Sequence, residues 1–175
     1  MYKSLFFIFQ ILVFTMVSAQ EINKTMIDTS RDQEILIGDC NREGLKSDVF
    51  GGQFGLEYDL YTTDIEAVAD LSLYNGDYNI IIVLGSWCSD SREQVPRFLR
   101  IIDELGLSGD IIRMIAVDRT KKPGELEEEP EVELNTERVP TFIFINEGIE
   151  IGRIIETPEE TLELDMLNIL REFFN

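Results

Sequence analysis

The run YNIIIVLGS, residues 78–86, constrains the fold more than any other stretch of this chain. It is a continuous series of mostly apolar, β-branched residues, which is typical of a strand covered on both faces. The period then changes at once, because apolar residues recur at helical spacing from Cys88 to Leu105. A buried strand that leads directly into an amphipathic helix predicts parallel strands joined by a crossover helix.

Further apolar runs predict the other strands of the same sheet. IIRMIAVD, residues 111–118, predicts a second buried strand, parallel to the first. TFIFIN and IEIGRIIE flank Glu147-Gly148, a pair that favours the turn of a β-hairpin. A charged, glutamate-rich stretch, residues 119–137, separates the second strand from this hairpin. The predicted fold class is α/β, a sandwich with a central mixed β-sheet flanked by helices.

The two ends of the chain carry weaker signals. Thr157-Pro158-Glu159-Glu160 has an N-cap residue, a proline for the first helical position and a glutamate for the third, which predicts the start of a C-terminal helix. Residues 20–34 are polar and aperiodic, which predicts a loose lead-in. Residues 41–73 show interrupted helical spacing, and residues 75–77, NGD, are a turn signal. We therefore divide this part of the chain from the α/β domain, giving an N-terminal helical extension, residues 20–76, and a domain of residues 77–175.

Residues 1–19 have the three parts of a secretory signal peptide. Lys3 supplies the positive charge, residues 5–17 are mostly apolar, and Val17-Ser18-Ala19 places small residues where a signal peptidase cleaves. The alternative is a membrane anchor, but this run is shorter than the ~20 residues of a spanning helix and contains Gln10. We expect a soluble exported protein, periplasmic or secreted, with no membrane anchor.

Charge and histidine content exclude several classes of function. The chain has 34 acidic and 15 basic residues and a formal net charge of −19, so it does not attract nucleic acid, which carries the same sign. It has no histidine and two cysteines, so neither a zinc site nor a Ser-His-Asp triad can be built in its usual form. We expect no metal and no organic cofactor.

The residues around Cys88 resemble those of the thioredoxin-like superfamily. Trp87-Cys88-x-x-Ser91 stands at the predicted strand-to-helix junction, Pro96 follows in the helix, and Val139-Pro140-Thr141 precedes a predicted strand. Thioredoxins carry these features in the same order, with a cis-proline at the position of Pro140. The resemblance covers the predicted domain of residues 77–175, and the preceding helical segment is similar to the extensions of exported bacterial members.

Two departures from the family pattern limit the chemistry that the resemblance implies. Ser91 replaces the second cysteine of the C-x-x-C motif, and Ile82 stands where many thioredoxins carry a buried acid. The resemblance therefore implies a monothiol disulfide-exchange factor with Cys88 as nucleophile. The N-terminus of a helix favours the thiolate form of a cysteine, and the Ser91 hydroxyl would donate a hydrogen bond to it.

The resemblance also implies which residues present the substrate. Trp87 would be an exposed apolar platform beside the thiol, and Val139 and Pro140 would offer backbone to an extended peptide. The substrates would be cysteine-containing exported proteins, with a redox partner protein that resolves the intermediate, a role in cell redox homeostasis. The alternative is a non-catalytic module that keeps the scaffold to bind a protein, with an inert Cys88.

Cys40 is the other cysteine of the chain. Two cysteines in an exported protein suggest a disulfide, and Cys40 is a candidate resolving thiol if the fold brings it to Cys88. The alternative is a partly buried cysteine that pairs with nothing. Both stay open, because separation along the chain does not determine the distance between two sulfur atoms.

Overall fold

The structure is a computed structural model that describes residues 22–74 and 78–175. The predicted signal peptide, residues 1–19, lies outside the described residues, and so does the predicted turn at residues 75–77. The described residues form a small two-stranded sheet, a larger five-stranded sheet and several helices.

A five-stranded mixed sheet forms the centre of the fold. In chain order the strands are β1 (Thr25–Asp28), β2 (Gln33–Leu36), β3 (Gly38–Cys40), β4 (Asn79–Leu84), β5 (Ile112–Ala116), β6 (Thr141–Asn146) and β7 (Ile149–Ile155). The central sheet has the order β3-β5-β4-β6-β7; β4 and β5 are parallel, and the other neighbours are antiparallel. The predicted α/β class and mixed sheet are confirmed.

Helices connect these strands where the spacing of apolar residues predicted them. They are α1 (Arg42–Leu45), α2 (Phe54–Leu60), α3 (Ile65–Leu71), α4 (Ser89–Glu104) and α5 (Leu162–Phe174), with 3-10 turns at Asp48–Phe50 and Gly109–Ile111. The carboxylate of Asp64 begins α3 by accepting hydrogen bonds from the N–H groups of Glu66 and Ala67, at 3.0 and 3.1 Å. The predicted hairpin turn is present, with positive φ at both Glu147 and Gly148.

The two faces of the sheet are covered in different ways. Alternate residues of a strand point to opposite faces, so Ile82 of β4 packs in one core cluster and Val83 in the other. The first cluster contains the buried apolar residues of α4 and α5. The second is covered by side chains from loops, namely Trp87, Cys88, Leu126, Val132 and Leu134. The two longest helices therefore share one face, and the glutamate-rich segment lies against the other.

The prediction of a loose lead-in over residues 20–34 is wrong for its described part, residues 22–34. β1 and β2 form an antiparallel hairpin, and the first three residues of β1 are exposed, so their sequence shows no apolar alternation. Side-chain contacts support this hairpin, including a 2.6 Å hydrogen bond from Thr25 Oγ1 to Glu34. β3 pairs with β5, so the predicted helical extension also contains strands and supplies an edge strand of the central sheet.

The C-terminal helix begins later than predicted, with Thr161 as its N-cap in place of Thr157. The Thr161 hydroxyl accepts a hydrogen bond from the N–H of Leu164 at 3.2 Å. The carboxylate of Asp165 accepts from the N–H groups of Glu159 and Glu160, at 2.7 and 3.2 Å. These donors are satisfied by a side chain from within α5, so residues 157–160 form a turn ahead of the helix.

Candidate functional site

Cys88 lies at the N-terminus of α4, directly after β4. It is the N-cap residue, with φ −95° and ψ 130°, and its side chain makes no capping hydrogen bond. Its N–H donates to the carbonyl of Gly85 at 2.9 Å, and its own carbonyl accepts from the N–H of Arg92 at 3.1 Å. These two bonds close the turn between strand and helix. The thiol therefore lies beside the first N–H groups of α4, which have no acceptor within the helix.

The sulfur of Cys88 is half-buried and faces two oxygen atoms. Sγ lies 3.2 Å from the carbonyl oxygen of Val139 and 3.8 Å from Oδ2 of Asp90. Both oxygens are acceptors, and a thiol has one hydrogen, so it can donate to one of them at a time. Attack on a disulfide requires the thiolate, and therefore requires this hydrogen bond to be given up.

The hydrogen bond that the structure shows for the Ser91 side chain is to Gly85 and not to the sulfur of Cys88. The Ser91 side chain is fully buried, and its hydroxyl accepts a hydrogen bond from the backbone N–H of Gly85 at 3.1 Å. Within the described part of the chain, the hydrogen bonds of Cys88 Sγ go to Val139 and Asp90. Ser91 therefore stabilises the turn that carries Cys88.

Trp87 is held on several sides and is half-buried, whereas an exposed platform was expected. Its indole Nε1–H donates to the carbonyl of Val117 at 2.9 Å. A Cβ placed on Gly85 would lie 2.7 Å from Cε2 of the indole, so only glycine allows this approach. The Arg119 guanidinium and the Lys121 ammonium lie over the ring, 4.8 and 5.6 Å from its centroid.

Val139 and Pro140 lie beside Cys88, as expected. The peptide bond between them is cis, which confirms the geometry that the resemblance implied. Both residues are buried, and the Val139 side chain packs in the second core cluster, which Trp87 and Cys88 also contact. The structure therefore brings Trp87, Cys88 and Val139 together, with the Val139 carbonyl directed at the sulfur.

Cys40 lies apart from these residues. It belongs to β3 and packs in the first core cluster, whereas Cys88 packs against the second, and both cysteines are free. Burial, with a smaller contribution from the Asp39 carboxylate, raises the pKa of the Cys40 thiol to about 12. A protonated thiol in another cluster does not have the geometry of a resolving thiol for Cys88.

The sequence did not point to Arg119, Lys121 or Gly85 as parts of the site. Arg119 and Lys121 stand in a run of basic residues that reads as an ordinary solvated loop. A local signal exists at Asp118, whose carboxylate accepts hydrogen bonds from the N–H groups of Thr120 and Lys122, at 2.7 and 3.0 Å. Such an Asp-centred turn is recognisable in sequence, but its position over Trp87 is not.

Comparison of the chain with family models, with curated proteins and with solved structures finds no match. Over residues 22–74 and 78–175, no helix combines the length and apolar character needed to cross a membrane. The same residues contain no group of three or more cysteine, aspartate or glutamate side chains arranged to hold a metal ion.

Proposed function

We propose that this protein is an exported thioredoxin-like protein that exchanges disulfides through the single thiol of Cys88. The observation that carries the proposal is the position of this thiol, half-buried at the start of α4 and 3.2 Å from the Val139 carbonyl. The substrates are cysteine-containing exported proteins, and the protein acts in the periplasm or outside the cell after removal of residues 1–19.

The arrangement of the domain supports a thioredoxin-like fold. From β4 onward the order is strand, helix, parallel strand, then an antiparallel hairpin and a final helix, as the resemblance implies. Cys88 stands where β4 gives way to α4, and Val139-Pro140 stands immediately before β6. Two segments separated by about fifty residues are thus adjacent at one end of the sheet, with the sulfur between them.

The proposed chemistry needs one thiol and an external partner. The Cys88 thiolate attacks a sulfur of the substrate disulfide, a new S–S bond forms, and the other substrate sulfur leaves as a thiolate. Ser91 cannot resolve this mixed disulfide because a hydroxyl does not take part in thiol exchange. A thiolate of a second protein attacks the substrate sulfur of the mixed disulfide and forms a new S–S bond with it. Cys88 is released as a thiolate, and the second protein leaves joined to the substrate by the new disulfide.

The test is capture of the mixed disulfide. A peptide that contains a disulfide is incubated with the protein and with its Cys88→Ala and Cys40→Ala variants, and the adducts are measured by mass spectrometry. We expect an adduct with the wild type and with Cys40→Ala, and none with Cys88→Ala. No adduct at Cys88, at any pH around the ~8.5 of a free thiol, would refute the proposal.

A second candidate function is a non-catalytic protein-binding module that keeps the same scaffold. It is favoured by the two oxygen atoms at the sulfur, because the Val139 carbonyl and the Asp90 carboxylate can accept a hydrogen bond from a thiol and cannot donate one to a thiolate. Under this alternative, the Cys88→Ala variant retains partner binding with unchanged affinity. Under the exchange proposal, the same variant folds normally and loses the covalent intermediate.

A further inference from the structure

Arg119 connects the N-terminal hairpin to the residue next to the thiol. Its guanidinium lies 4.8 Å from the centroid of the Trp87 ring. The same group donates from Nε to the carboxylate of Asp28 and from Nη2 to Oε1 of Gln33, the latter at 3.3 Å. Asp28 ends β1 and Gln33 begins β2, so the turn region of the hairpin anchors a cation on the indole.

The loop that carries Arg119 is itself well ordered by hydrogen bonds. The N–H of Asp118 donates to the carbonyl of Lys122 at 2.9 Å, and the N–H of Lys121 donates back to Asp118 at 3.0 Å. Lys121 Nζ lies over the same ring and donates to the Arg119 carbonyl at 3.2 Å. The two cations are therefore presented to Trp87 by a closed turn.

A second contact joins the hairpin to the loop before Cys88. The Ser86 hydroxyl is fully buried and accepts a hydrogen bond from the N–H of Leu36, at the end of β2, at 2.9 Å. The hairpin thus contacts the strand-to-helix loop at Ser86 and, through Arg119, at Trp87. These are independent contacts, one to the backbone of β2 and one to side chains of β1 and β2.

We propose that Arg119 is a positioning residue that fixes the Trp87 indole beside Cys88, with the β1-β2 hairpin as its anchor. This inference rests on the proposed function, since its consequence is the presentation of a peptide disulfide to the Cys88 thiol. A peptide must lie against the surface next to the sulfur, whereas a small alkylating agent needs only the sulfur. Loss of Arg119 therefore slows exchange with a peptide more than it slows alkylation.

Three variants test this arrangement, and a fourth is the control. Arg119→Met removes the cation but keeps an unbranched side chain, and Asp28→Asn removes the anchoring charge but keeps its shape. Arg171→Met is the matched control, because it breaks an ion pair with Asp70 that joins α5 to α3 away from the thiol. Arg119→Lys keeps a cation without the planar fork that contacts both Asp28 and Gln33, and we expect an intermediate effect.

The first measurement is acrylamide quenching of fluorescence from Trp87, the only tryptophan of the chain. Loss of one cation–π contact corresponds to about a fivefold rise in the ratio of released to held indole. We expect higher quenching in Arg119→Met and Asp28→Asn, and wild-type quenching in Arg171→Met. Unchanged quenching in Arg119→Met and Asp28→Asn, measured on folded protein, overturns the proposal that Arg119 fixes the Trp87 indole. This holds whether or not Cys88 reacts with a disulfide.

The second measurement compares two rates at Cys88, reaction with a peptide disulfide and reaction with iodoacetamide. We expect the ratio of the peptide rate to the iodoacetamide rate to fall in Arg119→Met, by at most about fivefold, because the fraction of held indole cannot fall by more than the equilibrium shifts. An unchanged ratio with increased quenching overturns the positioning role. If wild-type Cys88 forms no peptide adduct, the proposed function fails. The quenching measurement alone then decides whether Arg119 fixes the Trp87 indole.

Discussion

Ser91→Ala separates two roles for the serine three residues after Cys88. The resemblance implies that the hydroxyl stabilises the Cys88 thiolate, whereas the structure directs it to the N–H of Gly85. Both groups are buried, so the variant leaves a backbone donor without an acceptor. We therefore expect Ser91→Ala to lower the stability of the protein and to leave the reactivity of Cys88 unchanged.

The size of the effect follows from two opposing contributions. A buried donor without a partner costs about 1–3 kcal/mol. Ser91 lies in the first turn of α4, and replacement of serine by alanine in a helix returns up to about 0.5 kcal/mol. The free energy of unfolding should therefore fall by about 0.5–3 kcal/mol. The hydrogen bond that is lost, from the Gly85 N–H to the Ser91 hydroxyl, lies in the turn that carries Cys88.

The assay is urea unfolding followed by circular dichroism, together with the rate of Cys88 alkylation in the folded state. Ser89→Ala is the matched control, because the same change is made at an exposed position of the same helical turn and should alter stability by less than about 0.5 kcal/mol. A slower alkylation with unchanged stability in Ser91→Ala would show that the hydroxyl acts on the sulfur, and would refute the reasoning from the Gly85 hydrogen bond.

Three other predictions concern Gly85 in the turn before Cys88, Cys40 in the core, and the buried carboxylate of Glu163. Gly85→Ala places a Cβ 2.7 Å from the Trp87 indole and should lower the free energy of unfolding in urea by about 1–3 kcal/mol. Gly109→Ala is the control, because its added Cβ meets no atom within 4 Å. Equal stabilities of the two variants would contradict the close contact between Gly85 and Trp87. Burial raises the pKa of Cys40 from 9.0 to about 12, so the folded state favours the protonated thiol. The protonated thiol therefore stabilises the folded state fully below pH 9.0. This contribution to the free energy of unfolding is lost as the pH rises towards 12, at about 1.4 kcal/mol per pH unit. Unfolding measured across that interval should depend less steeply on pH in Cys40→Ala, and the same slope in both proteins would exclude Cys40 as its source. Glu163, 1% exposed, accepts hydrogen bonds from the Tyr61 hydroxyl at 2.8 Å and from the Asp64 N–H at 3.2 Å. Glu163→Ala leaves both donors without this acceptor and should lower the free energy of unfolding by about 1–3 kcal/mol, while exposed Glu160→Ala stays near the wild type. Equal stabilities of the two variants would argue against these hydrogen bonds.

Much of the domain from β4 to α5 could be predicted from the sequence because its signals are local. The run in β4, the helical spacing of α4 and the residues of the β6-β7 turn each describe a pattern within a few neighbouring residues. The junction at Cys88 and the position of Val139-Pro140 before β6 follow from these patterns, and the resemblance to thioredoxins depends on them. Strand β1 was missed because its exposed residues show no apolar alternation.

The sequence by itself determined the α/β class, the strand-to-helix junction at Cys88 and the absence of a second thiol within C-x-x-C, since these depend on residue type and local spacing. The tertiary structure alone decided where the side chains point. It directs Ser91 to Gly85, places Cys40 in the first core cluster, and brings Arg119 from a distant loop onto Trp87. Contacts between residues far apart in the chain depend on the packing of the sheet and its loops, and no local pattern encodes that packing.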